Sequence, residues 1–113
     1  MKSEQLYAAA TRENSEKRAA LAPEIIETWR TFSKTVFKEG ALPEKTKQLI
    51  AVAVAHVTQC PYCIHSHTAQ AMRKGANKEE IMEAVWVAAE MRAGAAYAHS
   101  ALAMDEMEAV EKV

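Results

Sequence analysis

This chain of 113 residues is poor in the residues that interrupt helices. It has three glycines and three prolines, and runs of β-branched residues are scarce. A sheet protein needs many more turns and strand formers, so an all-β or α/β fold is excluded. Large apolar side chains are also few, with two Trp, three Tyr and two Phe. Half of the residues are hydrophobic, but much of that half is alanine, which removes little area from water. A core built this way is thin, and a small helical chain commonly completes it by association. No Lys/Arg-rich run occurs and the formal net charge is −1, so nucleic acid is not an expected partner. The longest apolar run, Leu49 to Ala55, is too short to span a bilayer, so no membrane partner is expected. Met1 to Gln5 is polar with no apolar segment behind it, which predicts no secretory leader and a cytoplasmic protein. Cysteine is nearly absent as well. The two that exist stand in Cys60-Pro61-Tyr62-Cys63, and in a reducing compartment such a pair is catalytic rather than structural.

The rest of the chain reads as one all-α domain of about six helices, an amino-terminal arm over about 1–21 and a core over about 22–107. The first helix, about Glu4 to Leu21, is polar with a weak apolar stripe. Pro23 opens the second, where Ile25, Ile26, Trp29, Phe32, Val36 and Phe37 recur at helical spacing up to Gly40. Pro43 opens a third that is apolar almost all round through Leu49, Ile50, Val52, Val54 and Val57, and it is expected to be central. Pro61 restarts the chain as a fourth helix with Cys60 near its N-cap, ending at Gly75. Asn77 with Glu80 marks the start of a fifth. Gly94 is read as a break or kink, with the helical pattern resuming from Ala95 to about Met107 as a sixth helix. Trp29 and Trp86 are expected to anchor the core, and the methionines to fill core and subunit contacts.

His67 follows Cys63 by four residues, so the two share a helix face one turn apart. A thiolate is the reactive form of cysteine, and a helix amino terminus, a second thiol and a nearby histidine all favour it. Oxidation of one thiolate to a sulfenic acid, followed by attack of the other, closes a disulfide. Spacing alone leaves the order open. The histidine favours Cys63 as the attacking thiol and Cys60 as the resolving one. His56, one turn before Cys60, either lines the site or bonds a backbone group. His65 points away from the Cys63–His67 face. A zinc site built from Cys60, Cys63, His67 and His56 or His65 would ordinarily carry a second ligand pair, which is absent, so no metal and no cofactor are expected.

From about Leu42 to Leu102 the chain resembles the alkylhydroperoxidase AhpD-like / carboxymuconolactone decarboxylase family. The resemblance rests on Leu42-Pro43-Glu44-Lys45-Thr46-Lys47-Gln48-Leu49-Ile50, on Cys60-Pro61-Tyr62-Cys63 with His67, and on Val85-Trp86-Val87-Ala88-Ala89. It implies an AhpD-like all-α fold, a homo-oligomer (trimer or hexamer), and thiol-dependent reduction of a hydroperoxide substrate with an external dithiol reductant. Cys60, Cys63 and His67 would be the catalytic residues. The decarboxylase branch lacks the cysteine pair. The peroxidase branch places a relay glutamate twelve residues before the first cysteine, where this chain has Gln48, and Glu44, one turn earlier, could take its part. Some members carry a histidine between the cysteines, where Tyr62 stands here.

Overall fold

The computed structural model describes residues 6–113. Among them are five α-helices: α1 (Arg12–Leu21), α2 (Pro23–Phe37), α3 (Glu44–Thr58), α4 (Pro61–Arg73) and α5 (Lys78–Glu111). No strand occurs among the described residues. Residues 4 and 5 of the expected first helix lie outside this range, and helix begins only at Arg12, where the Thr11 side chain accepts a hydrogen bond from the Asn14 amide at 3.1 Å. The chain forms two compact units, residues 1–39 and 40–113.

In the first unit, α1 buries no residue and carries two exposed i,i+4 ion pairs, Arg12–Glu16 and Lys17–Glu13. Such pairs add little stability. Pro23 sits in the first turn of α2, as its fixed φ favours. The apolar stripe of α2 is real, but Ile25, Trp29, Phe32 and Val36 are exposed. Trp29 is therefore no core anchor; its ring meets only Phe32 among the described aromatic contacts, at a centroid distance of 5.8 Å.

In the second unit α3 lies between α4 and α5 and packs closely on both, whereas α4 and α5 touch little. Val52, Ala71 and Ala76 form the core, with Leu49, Ile81, Ala84 and Val85 packed round them. The expectation of a central α3 holds for one face only. Gln48, Val52 and Ala55 are buried there, while Ile50, Val54 and Val57, at helical spacing on the outer face, remain exposed. Trp86 is likewise exposed, since α5 turns Ile81, Val85 and Ala88 inward and residue 86 falls a third of a turn away. The methionines at 72, 82, 91, 104 and 107 are exposed in the single chain.

Gly94 does not break the last helix. α5 runs through it as one element of 34 residues. A glycine inside a helix costs about 1 kcal/mol relative to alanine, and the Ala- and Met-rich flanks favour helix strongly enough to absorb that. The expected sixth helix is thus the second half of α5.

Polar contacts fix the ends. Glu44, the first residue of α3, pairs with Lys74 at the end of α4 at 2.8 Å, and Lys45 pairs with Glu80 in the first turn of α5 at 2.9 Å. Asn77 and Glu80 form a capping box, each side chain bonding the other's backbone N–H at 2.8 and 2.9 Å. The Arg92 guanidinium reaches from α5 to the Val57 carbonyl in the last turn of α3, satisfying a group that the helix end leaves open.

Lys45 and the Asn77 amide hold the Glu80 carboxyl below its usual range. A carboxyl with a depressed folded pKa stabilises above the unfolded pKa, and that stability is lost as pH falls through the folded one. Glu80→Gln keeps the cap acceptor and removes the charge. It is expected to lower stability at pH 7 and to make little difference near pH 3, as measured by urea unfolding at both. Asn77→Ala is expected to cost about 1 kcal/mol in the same assay at pH 7.

Candidate functional site

The joint between α3 and α4 is very short. Gln59 ends α3 in the left-handed region, with φ 58°, and both its amide and that of Cys60 turn back to the Ala55 carbonyl. A side chain other than glycine or asparagine is uncommon there. This turn lets Pro61 begin α4 almost at once and leaves Cys60 as the N-cap. The Cys60 sulfur then takes the place usually held by a Ser or Asp oxygen, accepting the Cys63 amide at 3.3 Å. Both cysteines are reduced and half-buried.

This geometry orders the two thiols. Hydrogen bonds from the Cys63 thiol, then from the Cys63 and Tyr62 amides, lower the Cys60 pKa. The same thiol contact raises that of Cys63, since its proton serves the neighbouring sulfur, and burial adds to the rise. Of the two thiols, Cys60, at the positive end of α4, is therefore the one that ionises more readily. The sequence reading already set Cys60 near the N-cap but gave more weight to the histidine beside Cys63.

His67 lies one turn beyond Cys63. Its Nδ1 is 2.7 Å from Gln48 Oε1 on α3. An amide oxygen only accepts, so Nδ1 carries the proton and the lone pair of the neutral ring is on Nε2. Burial disfavours the imidazolium and lowers the His67 pKa. Gln48 is the one buried polar residue among those described, at 3% exposure. Its other end donates to Gln70 Oε1 at 3.3 Å, and Gln70 donates in turn to Ser66 Oγ at 3.0 Å.

The remaining candidates sit apart from this centre. The Glu44 carboxylate is held by Lys74, so Gln48 is the α3 residue that meets His67. His56 Nδ1 donates to the Val52 carbonyl of its own helix at 2.8 Å. Tyr62 contributes its backbone amide to Cys60, and its side chain is exposed. His65 is exposed. Among the described residues no three of His, Cys, Asp and Glu converge as a metal ion would require. A groove of about 640 Å³ in the first unit, along Ala19, Pro23, Ile26 and Lys34, contains neither cysteine nor histidine. The sequence reading missed Gln70 and Ser66. Three-residue spacing from His67 placed Gln70 on the inner face of α4, but nothing in the sequence tied it to Gln48.

A helical protein with a reduced thiol pair at a helix start, backed by a histidine one turn on, is a dithiol protein by architecture. The chain belongs to the carboxymuconolactone decarboxylase family, which it matches over residues 23–106. It is 59% identical over 87 residues to "uncharacterized protein 4 in cox locus" of Paracoccus denitrificans, covering 77% of this chain and 78% of that one. A solved structure from Methanobacterium thermoautotrophicum superposes with a TM-score of 0.74 at 32% identity, over 80% of this chain and 98% of the other. A carboxymuconolactone decarboxylase family protein from Legionella pneumophila gives 0.67 at 34% identity, over 70% of each chain.

Two measurements check this electrostatic picture. Alkylation by iodoacetamide against pH is expected to show one thiol ionising below the ordinary cysteine range, with that transition moving up in Cys63→Ala and disappearing in Cys60→Ala. Gln48→Glu is expected to raise the His67 pKa, because a carboxylate stabilises the imidazolium where an amide does not; an NMR titration of the ring protons reads this directly.

Proposed function

We propose that this protein is a thiol-dependent peroxidase and disulfide oxidoreductase of the AhpD-like kind, working through Cys60 and Cys63. The observation that carries the reading is the N-cap position of Cys60, which supplies a thiolate with a second thiol as its immediate hydrogen-bond partner. Family membership is compatible with this reading, and the cysteine pair favours thiol chemistry over lactone decarboxylation.

The Cys60 thiolate attacks the terminal oxygen of a hydroperoxide. The S–O bond forms, the O–O bond breaks, and the alkoxide leaves as an alcohol with a proton from solvent. His67, neutral with its lone pair on Nε2, takes the Cys63 proton. The Cys63 thiolate then attacks the Cys60 sulfenic acid, and the departing hydroxide takes that proton and leaves as water. An external dithiol returns two electrons and two protons. The loop between the sulfurs is short, and strain of this kind keeps a disulfide reducible. Gln48 orients His67 and, being an amide, takes no proton itself.

The working unit is a homo-oligomer, a trimer or hexamer. The exposed stripes of α2 (Ile25, Trp29, Phe32) and of α3 (Ile50, Val54, Val57), together with Trp86, support this, since a chain of this size rarely leaves so much large apolar surface to water. Light scattering coupled to gel filtration is expected to give a multiple of the 12.5 kDa chain, and a monomer at micromolar concentration would refute it.

The deciding experiment counts free thiols and intact mass before and after one equivalent of an alkyl hydroperoxide. Loss of both thiols and of two hydrogens per chain, reversed by a dithiol, is the expected result. Cys60→Ser and Cys63→Ser should each abolish turnover, and His67→Ala should slow it by roughly a hundredfold, the lower range for a general acid–base group. Thiols that stay intact through the peroxide addition would sink the proposal.

A further inference from the structure

His67 heads a chain of four polar side chains, and the geometry points to Gln70 as a positioning residue that, through Gln48, decides which nitrogen of His67 carries the proton. The consequence for turnover rests on the peroxidase reading above; the positioning itself does not.

The two ends of a glutamine amide have nearly the same shape, so turning the amide over exchanges an acceptor for a donor at almost no steric cost. Gln48 could in principle offer His67 either one. Offering the oxygen puts the proton on Nδ1 and leaves Nε2 basic. Offering the NH₂ would require a bare Nδ1 and put the proton on Nε2, which removes the base from the side of the ring turned away from Gln48. At 3% exposure Gln48 has its hydrogen bonds settled by its protein neighbours. Gln70 is the neighbour at the other end. Its Oε1 lies 3.3 Å from Gln48 Nε2, so an acceptor there turns the Gln48 oxygen toward His67 Nδ1, 2.7 Å away. Gln70 has the same ambiguity, and it is held by Ser66 Oγ, one turn back on α4, at 3.0 Å from Gln70 Nε2. Donation therefore runs in one sense throughout, from His67 to Gln48 to Gln70 to Ser66. Reversing it at Gln48 requires reversing Gln70 as well.

The geometry also explains how the chain is assembled. Ser66, His67 and Gln70 occupy adjacent positions on α4, at spacings of one, three and four residues, and Gln48 alone comes from α3. One helix thus carries both the imidazole and the group that orients its partner, so a small sliding of α4 along α3 moves both together.

The test uses the reduced full-length protein with ¹⁵N-labelled histidine, at a pH where His67 is neutral. Nitrogen shifts separate the protonated from the bare ring nitrogen. In the wild type Nδ1 is expected to be protonated. Gln70→Leu removes the acceptor, and the ratio of the Nδ1–H to the Nε2–H form is expected to fall roughly fivefold, the weight of one net hydrogen bond. Gln70→Ala, which removes the amide without adding an apolar branch, should do the same and serves if the leucine variant folds poorly. Gln70→Glu can only accept and is expected to restore the wild-type form. An unchanged tautomer in both the Leu and Ala variants, or a Glu variant that behaves like Leu, overturns the inference. Peroxide-driven thiol loss is followed on the same samples. A tautomer shift in protein whose wild-type thiols ignore peroxide upholds the role of Gln70 and refutes the peroxidase reading; an unchanged tautomer in protein that consumes peroxide does the reverse.

Discussion

A buried amide must find partners, and Gln48 on α3 finds both of its own, His67 and Gln70, on α4. Its hydrogen bond to His67 joins the middle of α3 to the middle of α4 in a region that is otherwise packed with Val52, Ala71 and small apolar groups. Leaving such a group unsatisfied costs about 1–3 kcal/mol, which is a large share of the stability of a small domain. The contact therefore selects one register of α4 against α3. The four-residue spacing on α4 sets His67 one turn beyond Cys63, and the short Gln59 turn places Cys60 at the head of α4. The chemistry of the site and the packing of the unit depend on the same contact.

The division of labour between the two sulfurs follows from backbone geometry more than from charged side chains. No cationic side chain accounts for the depressed Cys60 pKa. Amides at the start of α4 and the Cys63 thiol do so instead. His67 is kept neutral by burial and by a partner that carries no charge. Neither Gln48 nor Gln70 can accept a proton from His67, since an amide has no basic site at neutral pH. It differs from a carboxylate relay in this respect, and the difference lies in one residue of α3.

The thin core bears on the assembly. Val52 is the largest side chain that is wholly removed from water, and the other buried apolar residues are alanines. Alanine allows close helix approach but contributes little area. Lys45–Glu80, Glu44–Lys74 and Arg92 to the Val57 carbonyl hold the helix ends of the second unit in place while its outer faces stay apolar. No helix among the described residues is long and apolar enough to cross a membrane.

Much was legible in the residues themselves. Prolines 23, 43 and 61 and the Asn77–Glu80 box marked helix starts because their effect is local: each acts within one turn through a fixed φ or a bond to a nearby amide. The Cys-x-x-Cys spacing and the histidine four residues on placed the thiols and imidazole on one helix for the same reason. What only the tertiary structure decided involves two helices at once, or a whole helix face. Which thiol is the more readily ionised depended on the cap geometry after Gln59. That Gln48 rather than Glu44 meets His67 depended on Lys74 taking Glu44 at the far end of α4. Gln70 became visible only when α4 lay against α3. The exposure of Trp29 and Trp86 reflects how few helices one chain can set around them. Gly94 stayed within α5 because the helix preference of its neighbours, summed along the segment, outweighs one unfavourable residue. Local bonds are written in neighbouring letters, whereas long-range partners depend on the register that packing selects.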